Sequence, residues 1–147
     1  MTIKVEIILG LLESLGKYAR QLKEMRPATL RELADDTLRY WAVLHGLQIA
    51  VQHLVDIGEH ILTSQNLAVP ETYKEIIIEM GRNKIIPYEF AERIKGMAGL
   101  RNVIVHRYLS VDPDLIWYIL THHLDDFNTF SVYIYDYFER EGLLGDK

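Results

Sequence analysis

Apolar residues in the first segment fall at Ile3, Ile7, Ile8, Leu11, Leu12, Leu15, Ala19, Leu22 and Met25, the three- and four-residue spacing of one helical face. Pro27 ends that helix, because the residue before a proline is driven out of the α region. Thr29 and Glu32 then stand in the pattern of a capping box, in which hydroxyl and carboxylate satisfy backbone donors left bare at a helix start. A long second helix is expected from Leu30 to about Ser64. Its apolar positions, among them Leu33, Leu38, Trp41, Leu44, Leu47, Val51, Leu54, Ile57 and Ile61, cover much of the circumference, which suggests a central helix touched by several neighbours.

Pro70 suits the first turn of a third helix running to about Met80. Gly81 to Lys84 interrupts the pattern, and Pro87 opens a fourth segment whose Tyr88, Phe90, Ile94, Met97 and Leu100 lead into residues 101–108. Gly96 and Gly99 either weaken this helix or permit close packing, and the pattern leaves both open. Asp112-Pro113 reads as an N-cap followed by Pro at N1, starting a last helix to about Arg140 through Leu115, Ile119, Phe127, Phe130, Ile134 and Phe138. There is no alternating run, no Asn-Gly hairpin and no internal repeat. The expected fold is therefore all-α, an up-and-down bundle of four to five helices forming one domain over residues 1–147.

A chain of 147 residues can bury a core without staples, and it has no cysteine, which removes disulfides, thiolate metal sites and a Cys nucleophile. That composition suits the cytoplasm. The apolar run from Ile7 to Leu12 is flanked by Lys4, Glu6 and Glu13 with no small-residue cleavage site after it, so it is not read as a signal peptide. The longest uncharged stretch, Tyr40 to Val55, contains His45, Gln48, Gln52 and His53 and is too short and too polar to span a membrane. The net charge of −5 argues against a broad basic surface for nucleic acid. Positive residues nevertheless gather between Arg82 and Arg107, where Arg82, Lys84, Arg93, Lys95, Arg101 and Arg107 meet only Glu89 and Glu92. Such a cluster is either a solvated face or a local cationic site.

Inside it, residues 101–108 read Arg-Asn-Val-Ile-Val-His-Arg-Tyr. Arg offers a planar fork of donors matched to phosphate oxygens, and His gives and takes protons near neutrality. Arg101 and His106 are five positions apart, roughly 140° around a helix, so they flank a groove. Asn102 shares a face with His106 at i, i+4, where an amide can orient an imidazole. The plain alternative is an exposed helix end with an Arg and a His by chance. Cleaving RNA through its own 2′-hydroxyl needs a base, an opposing acid and positive charge for the transition state. One chain offers one well-placed His, so a symmetric dimer, each copy supplying an Arg and a His, would complete the set.

His53, Asp56 and His60 form a second constellation, at i, i+3 and i+7, which could hold a divalent metal with a ligand from another helix. No Glu-x-x-His pair of the di-iron bundles accompanies it, and the preferred reading is hydrogen-bonded polar residues inside a bundle, with no metal. His122 and His123 beside Asp125 and Asp126 read as a solvated edge. Nine tyrosines could stack on bases, though tyrosines are more often core and interface residues.

With these residues laid out, Arg101-x4-His106-x-Tyr108 resembles the signature of the HEPN superfamily, and specifically of HepT-like toxins from prokaryotic toxin–antitoxin pairs. The resemblance extends from about Leu30 to Phe130, through the helix residues 47–60, the helix opening Pro70-Glu71-Thr72-Tyr73, and Met97 to Tyr108 followed by Val111-Asp112. It implies a metal-independent endoribonuclease that needs no cofactor and acts as a homodimer, with the motifs of both chains lining one cleft. His106 would be the acid/base, Arg101 the phosphate and transition-state anchor, and Asn102 the positioning residue. Asp56, His60 and Arg107 would line the cleft. Tyr108 would accept AMP from a cognate minimal nucleotidyltransferase antitoxin, adding charge and bulk where an RNA phosphate should sit. The rival reading is a non-catalytic helical module whose groove binds a nucleotide or a partner nucleotidyltransferase.

Overall fold

All the expected helices form, but three of the five are broken once. In a computed structural model that describes residues 4–107 and 111–144, the order is α1 (Val5–Met25), α2 (Leu30–Asp35), α3 (Thr37–Ser64), α4 (Tyr73–Arg82), α5 (Tyr88–Ile94), α6 (Gly96–His106), α7 (Pro113–His122) and α8 (Asp125–Arg140). The described residues are all-α, as the periodicity predicts, with no strand among them.

Each break has a local cause. Asp36 ends α2 and starts α3, because its Oδ1 accepts the N–H of Arg39 at 3.1 Å, the side-chain bond with which a short acid competes against helix continuation. At Lys95 the backbone stays helical (φ −56°, ψ −29°), and the N–H of Ala98 reaches back three residues to Lys95 O at 3.2 Å, so α5 and α6 are nearly one helix. His123 leaves helical geometry (φ −123°, ψ −1°) between α7 and α8. Pro70 does not open α4. Thr72 caps it instead, accepting the N–H of Glu75 at 3.2 Å, and a Thr-x-x-Glu signal at Thr72 outweighs the proline two residues earlier. The Thr29 box forms with one change. Thr29 Oγ1 accepts from Glu32 N–H at 3.2 Å, while the Glu32 carboxylate reaches back to Ala28 N–H at 3.0 Å.

α3 is the central element, packed against α1, α4, α6 and α2, while α8 covers α1 and α7 covers α2. Its buried set runs from Val43 to Leu62. Leu38 and Trp41 are not part of it, being 75% and 62% exposed. They share one side of the first turns with exposed His45, opposite Val43 and Leu47, so helical phase settles which apolar residues of a nearly continuous run are buried. The α3–α4 crossing depends on Gly58, where a Cβ would sit 2.7 Å from Met80 Cε and 3.0 Å from Ile76 Cγ2. α8 supplies the largest aromatics of the core, Phe127, Phe130 and Phe138, all fully buried. Among the described residues no helix is long and apolar enough to cross a membrane.

Candidate functional site

α6 is held by its apolar side. Met97, Ala98, Leu100 and Ile104 are buried where the helix packs on α3 and α4, which fixes the direction of everything on its other side. Asn102, His106 and Arg107 are exposed along that outer edge, and Arg101 is half-buried beside it. The helix closes at His106, with the N–H of Arg107 still bonded to Val103 O at 2.8 Å. Helical geometry therefore persists from Arg101 to His106, and their roughly 140° separation holds. Asn102 and His106 share the exposed face without a hydrogen bond between them in the isolated chain, so the amide does not orient the imidazole there. Gly96 and Gly99 have nothing within 4 Å of an added Cβ; within this chain they permit no close packing and only loosen the helix. Tyr108 lies outside the described residues.

The cationic stretch from Arg82 to Arg107 splits into two kinds of charge. Arg82 is bound to Glu79 at 2.6 Å and lies 3.7 Å from Glu75, Lys95 is bound to Glu92 at 2.6 Å, and Arg93 reaches Asp126 at 3.0 Å. Arg101 has no carboxylate partner among the described residues. Its Cζ lies 5.0 Å from the centroid of the Tyr73 ring, and its Nε is buried without an acceptor. A guanidinium held against a ring keeps its charge and its in-plane donors for something else.

The second constellation does not converge. His53 Nε2 lies 2.8 Å from Ser14 Oγ, and its ring meets Tyr18 edge-on at 5.9 Å, both on α1. Burial pushes the imidazole below its ordinary range, against the opposing pull of Asp56. Asp56 accepts from Gln52 Nε2 at 2.8 Å. Asp56 and His60 line a surface groove of about 520 Å³ with Lys4, Ile7 and Glu59. Within one chain this groove lies beside the start of α1; the cleft expected from the resemblance is one formed between two copies. Among the described residues no three His, Asp or Glu side chains gather as metal ligands would.

The supposed solvated edge at residues 122–126 also differs. Asp126 is the buried charged residue of the core, 4% exposed. Its carboxylate takes His123 Nδ1 at 2.8 Å and Arg93 Nη2 at 3.0 Å, tying α5 to the start of α8. Asp125, by contrast, is exposed and bound to Lys23 at 2.6 Å. Sequence reasoning missed the pairing of Asp126; His-x-x-Asp at a helix start was its signal.

A groove of about 880 Å³ lies between the α4–α5 turn and α8 and is lined by Lys84, Tyr88, Tyr133 and Arg140 among others. Volume alone does not make it the site. Its two arginines are engaged, Arg140 donating to Lys84 O at 3.0 Å and lying 5.6 Å over the Tyr137 ring, and Arg82 held by its two glutamates.

A helical bundle that carries an Arg and a His five residues apart on one well-packed helix, the Arg without a carboxylate partner among the described residues, has the arrangement that the HEPN resemblance implies. The model of the ribonuclease HepT-like family matches residues 15–134, and the chain belongs to that family. It is 26% identical over 125 residues to the mRNA nuclease HepT of Shewanella oneidensis, covering 85% of this chain and 93% of that protein. It is 30% identical over 125 residues to the tRNA nuclease HepT of Aphanizomenon flos-aquae, covering 85% of each. Its fold matches the tri-AMPylated HEPN toxin of Shewanella oneidensis, solved in complex with its MNT antitoxin, with a TM-score of 0.81 at 25% identity over 88% of this chain and 97% of that one. A cytosolic protein of unknown function from Bacillus subtilis shares the fold over 99% of both chains, with a TM-score of 0.82 at 18% identity.

Proposed function

We propose that this chain is a metal-independent endoribonuclease toxin of a toxin–antitoxin pair, acting in the cytoplasm. The observation that carries the reading is the state of Arg101, a cation on the motif helix that lies over a ring and engages no carboxylate among the described residues, next to an exposed imidazole. Kinship with two nucleases and with a toxin bound to its antitoxin supports it.

In this mechanism the nucleophile is the substrate's own 2′-hydroxyl, so the protein supplies proton transfer and charge. His106 transfers the proton, Arg101 binds the phosphate and the charge that builds on it in the transition state, and Asn102 positions the reacting groups. One chain contributes one imidazole, so two copies meet along the α6 edges and form a composite cleft, with Arg107 adding positive charge at its rim. Transfer of AMP to Tyr108 by a partner nucleotidyltransferase then silences the cleft, because a phosphate diester two residues from His106 repels and displaces RNA. The Shewanella oneidensis toxin, tri-AMPylated and in complex with its MNT antitoxin, supports this regulation.

The test is direct. Purified protein is expected to cut RNA in EDTA and to leave 2′,3′-cyclic phosphate ends. His106→Ala is expected to reduce the activity by about 10²- to 10⁴-fold, and cleavage that persists at the normal rate in this variant would sink the assignment. If Arg101→Ala and His106→Ala weaken RNA binding and no RNA is ever cut, the non-catalytic binding module is the correct reading.

A further inference from the structure

The arrangement around Arg101 contains a residue that the motif does not. Tyr73 is the first residue of α4, set in place by the Thr72 cap, where Thr72 Oγ1 takes the N–H of Glu75 at 3.2 Å and Thr72 O takes that of Ile76 at 3.0 Å. Its ring is half-buried and packed against the core. α4 and α6 pack against each other, and across that contact the ring faces the Arg101 guanidinium at 5.0 Å.

We infer that Tyr73 is the positioning residue for Arg101, holding the guanidinium of the phosphate anchor by its face so that its edge stays open to an oxyanion. The inference rests on the reading of Arg101 as that anchor. An arginine at a binding site must be held in place and must also remain positive. A carboxylate would hold it but would occupy the donors and cancel the charge, as happens at Arg82 and Arg93. An aromatic face attracts the cation electrostatically and occupies none of the N–H groups, which all lie in the guanidinium plane. Arg101 Nε is buried and has no acceptor among the described residues. The two terminal nitrogens form an end-on fork that binds two phosphate oxygens. Tyr73 itself does not touch the reacting atoms.

The test uses the full-length protein, a non-cleavable 2′-O-methyl oligoribonucleotide for affinity, an all-RNA oligonucleotide for cleavage, and the ¹⁵N-edited Nε–H resonance of Arg101. Tyr73→Leu keeps the apolar packing and removes the aromatic face. It is expected to weaken oligonucleotide affinity and kcat/KM about tenfold, in line with a partly desolvated cation–π contact, and to remove the ring-current shift of the Arg101 resonance. Tyr73→Phe, which retains the face, is expected to restore both to within about twofold. In an Arg101→Ala background, Tyr73→Leu is expected to add no further loss of affinity; an equal loss there would show that Tyr73 acts elsewhere and would overturn the proposal. If Arg101→Ala weakens binding while Tyr73→Leu leaves affinity and the Arg101 resonance unchanged, the anchor stands and Tyr73 is not its positioning residue. If Arg101→Ala leaves both affinity and cleavage unchanged, the anchor reading falls, and the proposal falls with it.

Discussion

Two places in this bundle each join an arginine and a histidine, and they are built in opposite ways. At the junction of α5 with α7 and α8, Arg93 and His123 converge on the buried carboxylate of Asp126, and every charge there has a partner within 3.0 Å. On α6, Arg101 and His106 have no such acid among the described residues. Arg101 lies on a ring with a donor left over, and His106 is exposed to solvent. A folded chain gains by pairing its polar groups, because a buried orphan costs about 1–3 kcal/mol. The closed junction follows that rule and serves stability. The open edge departs from it and leaves its charge for something outside the chain.

The comparison can be broken or sharpened by experiment. The largest expected effect is on the open side. His106→Ala should lower RNA cleavage by about 10²- to 10⁴-fold, the usual contribution of a general acid or base, and should leave the melting temperature where it was because the side chain is exposed. A variant that unfolds, or that cleaves at the normal rate, would put His106 with the structural residues. On the closed side, Asp126→Ala should cost about 2 kcal/mol in urea unfolding, less than a fully buried pair, because Arg93 is more than half exposed even while paired. Cleavage per folded molecule should not change. Loss of cleavage at full stability would erase the distinction between the two regions.

His53 provides a third histidine with a different signature. Burial holds its folded pKa below the unfolded value of about 6.5. The unfolded chain therefore takes up the proton first as pH falls. The stability linked to His53 is complete above the unfolded pKa and is lost as pH drops toward the folded one. The melting temperature should decline below about pH 6.5, and His53→Gln should flatten that decline. Parallel curves for the two proteins between neutral and mildly acid pH would remove His53 from the account. The smallest effect is expected at Gly99, where a Cβ meets open space. Gly99→Ala should stabilise the isolated chain by about 0.5–1 kcal/mol, measurable by urea unfolding. A loss of stability would mean that the outer face of α6 is already occupied.

Much of the bundle is legible in the order of its residues. The apolar spacing gives the helices because burying a face every three to four residues is the main thing a helix of this kind does. Pro27, the Thr29 cap and Asp112-Pro113 give boundaries because each acts on its immediate neighbours. The breaks at Asp36, Lys95 and His123 are harder to read, since apolar periodicity runs through them unaltered. Leu38 and Trp41 look like core residues in the same way and end up exposed, because neighbouring helices cover only one phase of α3. For the site, the types and spacing of Arg101, Asn102 and His106 are legible as local chemistry. Asp56 and His60 are not placeable from the chain alone, because which side of a long helix faces which partner is decided by residues far away in sequence.

What the sequence determined by itself is local: helical identity, caps, the absence of thiol chemistry, and an Arg and a His five residues apart on one helix. Tertiary structure decided which charges are paired. Arg82, Arg93 and Lys95 read as equals of Arg101 along the chain, and it is packing that gives three of them carboxylates and gives the fourth a tyrosine ring. The reason is physical. Helical periodicity acts over a few residues, whereas Coulomb and stacking contacts act over a few ångströms, and only the fold brings Asp126 to Arg93 and Tyr73 to Arg101.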